Sequence, residues 1–190
     1  RYLDREVART YATEGRFDDA ALTIRREIAA APSEARPYWE LATIALHAGN
    51  LPLAFETYQD LFRNVPSEPD APFYVCEMAR HVKPAEEALG ICAHARRLRP
   101  DDVRIALELA RNLTLLRRTE EAQSVLIADR DRAPARAEAW RALLTWEFEN
   151  GFYDAAHRVA THAAPWFPAA TWRAEALDRV RRERRADDVL

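Results

Sequence analysis

Glycine is scarce in this chain of 190 residues, with only four in all. That excludes a glycine-rich loop of the kind that cradles phosphates through backbone N–H groups. Serine occurs only as Ser33, Ser67 and Ser124, and none stands in a nucleophile-elbow context. There is no H-E-x-x-H and no C-x-x-C, and two cysteines, Cys76 and Cys92, do not make a disulfide framework. No stretch approaches the roughly 18 uninterrupted apolar residues that a membrane helix needs. A net charge of −3 provides no broad basic field to draw nucleic acid or anionic lipid. The chain therefore reads as non-enzymatic, with no cofactor and no metal.

Lysine is nearly missing as well: Lys83 is the only one, and arginine carries the rest of the basic charge. Together with abundant alanine, this composition suggests a bacterial source. The chain opens at Arg1 without methionine and without a signal-like segment. It reads as a piece of a longer protein, so its compartment (bacterial cytoplasm or periplasm) stays open. Apolar content of 48% is ample for a core, and a mean hydropathy of −0.43 fits an aqueous chain.

What the sequence does hold is a period. Pro32, Pro66, Pro100, Pro134 and Pro168 are each 34 residues apart, and Ala20, Ala54, Ala88, Ala122 and Ala156 keep the same step. Val7, Leu41, Val75, Leu109 and Leu143 fall in register, followed by the mostly small Ala8, Ala42, Cys76, Ala110 and Leu144. Tyr11, Ala45, Ala79, Leu113 and Glu147 form a third column, in which the glutamate is a polar misfit. Ile24, Tyr58, Cys92, Leu126 and Ala160 form a fourth. Such self-similarity signals stacked helical units, each needing neighbours to bury its apolar face.

Spacings of three and four within each unit are those of amphipathic helices, two per unit. The first breaks at Gly15, Gly49 and Gly151, where a helix end favours the left-handed conformation. The second opens with acidic pairs (Asp18 and Asp19, Glu86 and Glu87, Glu120 and Glu121) that complement the helix dipole. Pro84 suits a first turn, and Ser33 and Asp101 suit N-caps after the repeated proline. The repeated alanine marks a close helix crossing. From Thr171 to about Arg185, Trp172, Ala176 and Val180 give one apolar stripe, as in a capping helix.

These residues resemble the tetratricopeptide repeat. The first unit carries Tyr11, Gly15, Phe17, Ala20 and Pro32; the second Leu41, Gly49, Ala54, Tyr58 and Pro66; the fifth Trp140, Leu143, Gly151, Tyr153, Ala156 and Pro168. In the third and fourth, Lys83 and Arg117 replace the turn glycine. The resemblance covers about 170 of 190 residues. It implies an all-α, right-handed α-solenoid with five repeats (1–34, 35–68, 69–102, 103–136, 137–170) and a capping helix with a polar tail over 171–190. Pentatricopeptide arrays share the helix-pair logic but run one residue longer per unit.

In such arrays the first helices line the inner groove. Here that implies a partner-binding face of Arg5, Arg9, Arg36, Trp39, Thr43, Phe73, Tyr74, Glu77, Arg104, Leu107, Glu108, Arg111 and Arg141. The set mixes aromatics with arginine, as binding hot spots do. Some of its aromatics have an alternative role in packing between units. Arg5, Arg9, Trp39, Phe73, Tyr74, Arg104 and Arg111 are the expected contacts, and Trp39→Ala with Arg111→Glu is expected to abolish binding without unfolding. Co-chaperone members grip a C-terminal carboxylate with a basic clamp. The matching positions here are Arg5, Arg9, Glu40, Asp70 and Tyr74, and Glu40 and Asp70 would repel that ligand.

The remaining candidates have bland readings. His47 and His81 occupy equivalent positions about 10 Å apart by helix spacing, too far to share a metal. His94, His157 and His162 form no ligand spacing. Cys76 and Cys92 read first as two small buried hydrophobes, with a disulfide as the alternative in an oxidising compartment. The run Arg179, Arg181, Arg182, Arg184 and Arg185 reads as a solvated helix end diluted by Glu183, Asp187 and Asp188. The resemblance implies a non-catalytic scaffold for a partner protein or peptide, or for another domain of its parent. One alternative is a periplasmic scaffold of an exopolysaccharide export system, recruiting a modifying enzyme or touching polymer. Another is an accessory domain of a larger enzyme. RNA binding in an arginine-lined groove fits poorly with the near-neutral charge.

Overall fold

A computed structural model describes the backbone of residues 2–187 and the side chains of residues 6–184. Every regular element among the described residues is an α-helix: α1 (Tyr2–Thr13), α2 (Phe17–Ala30), α3 (Ala35–His47), α4 (Leu51–Asn64), α5 (Ala71–Val82), α6 (Ala85–Leu98), α7 (Val103–Leu115), α8 (Thr119–Arg132), α9 (Ala137–Glu149), α10 (Tyr153–His162) and α11 (Thr171–Asp187). They fall into two compact units, Arg1–Arg99 with α1–α6 and Pro100–Leu190 with α7–α11. Within each unit consecutive helices pack as hairpins, and each hairpin packs on the next.

The columns of the sequence are the core. All five repeated alanines are fully buried, and each backbone N–H donates to the residue that opens its second helix (Arg16, Asn50, Pro84, Arg118, Phe152). In the first unit Leu41 packs into a cluster with Ala8, Ala20, Ala21 and Ile24 of the preceding hairpin. Val75 does the same against Ala54, Phe55 and Tyr58. Val7 has no such neighbour among the described residues and is 43% exposed. In the second unit Leu126 and Leu143 are fully buried.

The turns follow from backbone chemistry. Gly15, Gly49 and Gly151 take positive φ of 69° to 75°. After each, an N–H reaches back five residues: Arg16 to Tyr11 O, Asn50 to Ala45 O and Phe152 to Glu147 O, all at 2.8 Å. This is the Schellman closure of a helix end. Arg117 adopts φ 60° and supports the same bond, from Arg118 to Leu113 O at 2.9 Å. The third hairpin departs from the pattern: Lys83 is extended at φ −120°, ψ 155°, and Pro84 is the N-cap rather than a first-turn residue.

The repeated prolines stop the second helices, and four of their carbonyls accept side-chain donors. Tyr38 Oη binds Pro32 O at 2.9 Å and Trp140 Nε1 binds Pro134 O at 2.9 Å. Arg132 reaches Pro100 O at 3.1 Å and Arg173 reaches Pro168 O at 3.2 Å. The helices that follow start one residue later than Ser33 and Asp101 suggest. Glu34 stands at the N-cap of α3 without a side-chain cap, and Asp102 caps α7 by accepting from Arg104 N at 3.0 Å.

Cys76 and Cys92 are joined by a disulfide, with Cα atoms 4.7 Å apart and both residues fully buried. This corrects the reading of two separate buried hydrophobes. Both occupy core columns that face each other across the α5–α6 hairpin, so the packing itself brings their sulfurs together. The last helix buries Ala176 and Val180 against its unit, and Arg173 ties it to Ala160 O and Phe167 O, both at 2.8 Å.

Candidate functional site

The first unit presents a groove of about 730 Å³ between α1 and α3. Its floor is apolar, from Ala8, Ile24 and Ile44, and its walls carry Arg9, Arg36, Trp39, Glu40 and Thr43. These are first helices, and residues 36, 39, 40 and 43 share a face of α3 because they stand three or four apart. Arg36 is held along its helix by Glu40 at 2.9 Å, and Arg9 lies 3.6 Å from Glu6. Both arginines remain more than 60% exposed, so these pairs are weak and open to exchange.

Trp39 links this groove to an aromatic cluster. Its ring meets Tyr58 edge-on at 5.5 Å and Tyr74 at 5.0 Å; Tyr58 and Tyr74 stack at 5.0 Å, and Phe73 meets Tyr74 edge-on at 5.0 Å. Such contacts add to simple area burial. Trp39 and Tyr74 are half-buried and pack between hairpins, while Phe73, also half-buried, meets Tyr74 on its own helix. Burial pushes the Tyr58 hydroxyl up to about 12, helped by the neighbouring Tyr74 and Glu77.

The other expected contacts separate. The side chain of Arg5 lies outside the described residues. Arg104 folds back on its own helix start, with Nε 3.0 Å and Nη2 2.7 Å from the Asp102 carboxylate. Glu108 is 2% exposed and cannot face a partner. Arg111 bridges Glu108 on its own helix and Glu149 on α9, with Nε 2.9 Å from Glu149 Oε2. The Glu149 hydrogen bond and the Glu108 charge hold this guanidinium firmly protonated. Arg111→Glu would bring three carboxylates together, so the substitution expected to act on binding alone also removes two ion pairs. Leu107 is half-buried, and Arg141 is exposed.

Arg141 lines a second groove, of about 450 Å³, between α9 and α11. Leu144, Phe148, Trp172, Arg179 and Arg182 complete it. Sequence reasoning missed it by reading the arginines of α11 as solvated and Trp172 as part of a core stripe. The usable signal was the spacing Arg141, Leu144, Phe148 on one helix and Trp172, Ala176, Arg179 on the next. A third, more polar hollow of about 800 Å³ lies among α8, α10 and α11, with the Asp154–Arg184 ion pair at its edge. His47 lines the first groove, and among the described residues no three His, Cys, Asp or Glu side chains gather as a metal site. Among the described residues no helix is long and apolar enough to cross a membrane.

Repeated hairpins with alanine crossings and glycine turns define a helical-repeat protein. The fold is that of the tetratricopeptide repeat. Solved structures of this fold match along most of the chain. A thermophilic tetratricopeptide-repeat protein of Thermus thermophilus is 18% identical over 94% of this chain and 97% of its own, with a TM-score of 0.58. A tetratricopeptide-repeat protein of Parabacteroides merdae is 14% identical over 96% of this chain and 72% of its own, with a TM-score of 0.62. YrrB, described as a tetratricopeptide-repeat protein with an unusual peptide-binding site, is 14% identical over 91% of this chain and 89% of its own, with a TM-score of 0.53. No protein-family profile and no curated protein sequence matches the chain.

Proposed function

We propose that this chain is a non-catalytic scaffold that holds a segment of a partner protein, or of another domain of its parent, in the groove between α1 and α3. The observation that carries the reading is the convergence of Arg9, Arg36, Trp39 and Thr43, four positions that the tetratricopeptide resemblance implies for the inner face, around one apolar floor. An aromatic with arginines over a desolvated floor is the composition of a binding hot spot. YrrB lends support as a protein of the same fold named for a peptide-binding site.

The test is a peptide-display selection on the whole chain, followed by Thr43→Trp, which fills the groove from an exposed position. Selected peptides should bind Thr43→Trp and Trp39→Ala at least about tenfold more weakly, a loss of about 1.4 kcal/mol. The melting midpoint of Thr43→Trp should stay unchanged. Equal affinity for the parent and Thr43→Trp would move the site elsewhere.

The periplasmic reading has one support of its own, the Cys76–Cys92 disulfide, since such bonds persist in oxidising compartments. Thiol counting on denatured protein taken from its native cells tests it. Two free thiols would point to a reducing compartment.

A further inference from the structure

The second groove is built differently from the first, and among the described residues the arginines of its lining outnumber the carboxylates. Leu144 and Ala176, 5% and 7% exposed, form its floor. Phe148 and Trp172 stand on opposite helices above it. The Arg179 guanidinium lies over the Phe148 ring, 4.3 Å from its centroid, and reaches Glu183 only at 4.0 Å. Arg141 and Arg182 are exposed, and among the described residues neither has a hydrogen-bond or ion-pair partner. Nearby arginines are engaged: Arg111 with Glu108 and Glu149, Arg181 with Asp178, Arg184 with Asp154 and Arg173 with backbone carbonyls. Of the two carboxylates in the lining, Glu149 is held by Arg111, which leaves Glu175 alone against three arginines.

We propose that this groove docks an acidic segment of a partner protein, with an apolar side chain seated between Phe148 and Trp172 and carboxylates against Arg141 and Arg182. A volume of about 450 Å³ takes one or two side chains rather than a folded domain. Guanidinium groups bind carboxylates in bidentate fashion, and the apolar floor lowers the local dielectric around those pairs. A nucleic-acid strand fits less well. Its phosphates would run along a continuous basic track, whereas Glu149 and Glu175 interrupt this one within a chain of net charge −3. The inference is independent of the α1–α3 groove, because every residue it uses belongs to the second unit.

The probe is the fluorescein-labelled peptide EDELFDED, titrated by anisotropy into the whole chain. Controls are EDEGGDED, which lacks the apolar anchor, and KRKLFKRK, which reverses the charge; an oligothymidylate and an oligo-uronate carry negative charge without a peptide. EDELFDED should saturate in the micromolar range, about tenfold more tightly than EDEGGDED, and weaken as salt rises. R141E with R182E should reduce its affinity by tenfold or more while leaving the melting midpoint and the affinity of peptides that Thr43→Trp displaces unchanged. The proposal is overturned by failure to saturate below millimolar protein, by indifference to R141E with R182E, or by tighter binding of either non-peptide probe.

Discussion

Lys83 and Arg117 stand at equivalent points of two turns and resolve the loss of glycine in opposite ways. Arg117 enters the left-handed region at φ 60° and keeps the backbone bond from Arg118 to Leu113 O. Lys83 is followed by Pro84, which crowds the helical conformation of the residue before it and has no N–H to offer. Lys83 therefore swings to an extended backbone, and its own N–H closes the helix on Ala79 O at 2.9 Å.

Arg117→Gly should accordingly stabilise the second unit by about 1 kcal/mol, by relieving a left-handed side-chain-bearing residue. Lys83→Gly should be destabilising, because it adds freedom to the unfolded chain at an extended site and removes the Lys83–Glu87 ion pair and the contact with the Phe55 ring. Urea denaturation of the two variants checks this. Equal shifts would mean that the two turns do not differ as described.

The hairpin that lost its turn bond is the one that carries the Cys76–Cys92 disulfide. A covalent link across a separation of 16 residues restrains the unfolded chain by about 3 kcal/mol. Dithiothreitol should lower the melting midpoint of the parent chain by several degrees and leave a Cys76→Ala, Cys92→Ala double variant unmoved. Because Phe73, Tyr74 and Glu77 sit on α5 beside Cys76, the near-ultraviolet circular dichroism of the Trp39–Tyr58–Tyr74 cluster should change on reduction too. A parent midpoint indifferent to reductant would exclude a stabilising role for the bond.

Glu147 is 1% exposed in a column that otherwise holds Tyr11, Ala45, Ala79 and Leu113. Gln123 Nε2 donates to one oxygen at 2.8 Å, and the other is buried without a hydrogen bond. Burial raises the pKa of this carboxyl, offset in part by Gln123 and Arg158. A raised folded-state value means that the fold binds the proton more tightly than the unfolded chain does. The associated stability is complete below the ordinary glutamate range and is lost as pH rises through the folded-state value. Glu147→Leu, which restores the column, should stabilise the protein by about 1–3 kcal/mol at neutral pH and by less in acid. Chemical denaturation across pH tests both the sign and the trend. A variant less stable at neutral pH would mean that the Gln123 bond outweighs the buried charge.

The fold was legible because a 34-residue period survives at the buried alanines and at the prolines that end the second helices. Ala20 through Ala156 are fully buried in every repeat, and the prolines end helices by covalent geometry. Trp39 and Thr43 were named because the tetratricopeptide resemblance implies that first helices line the inner groove, and both line the hollow between α1 and α3. The fates of Arg104, Glu108 and Arg111 were not legible. Whether a long charged side chain faces a partner or folds onto Asp102 or Glu149 depends on contacts that a repeat register does not encode. The second groove escaped because half of it comes from α11, which lies outside the period. The disulfide sits between these cases: both cysteines were in core columns, but sequence alone did not distinguish a bond from close packing.

Ala88 and Gly90 lie two residues apart on α6 and give opposite forecasts from one helix. Ala88 is fully buried within the Tyr58–Val75–Ala79 cluster. Ala88→Leu, like Ala54→Leu at the equivalent crossing, should destabilise by about 1–3 kcal/mol through overpacking. Gly90 is exposed, and an added Cβ would meet nothing within 4 Å. Gly90→Ala should stabilise by about 0.5–1 kcal/mol, since alanine restricts the unfolded chain and suits a helix interior. Thermal melts of the three variants on an otherwise unchanged chain decide the matter. If Ala54→Leu and Ala88→Leu melt with the parent while Gly90→Ala gains stability, the alanine columns are not the closest crossings, and the helix-pair packing would need to be redrawn around other positions.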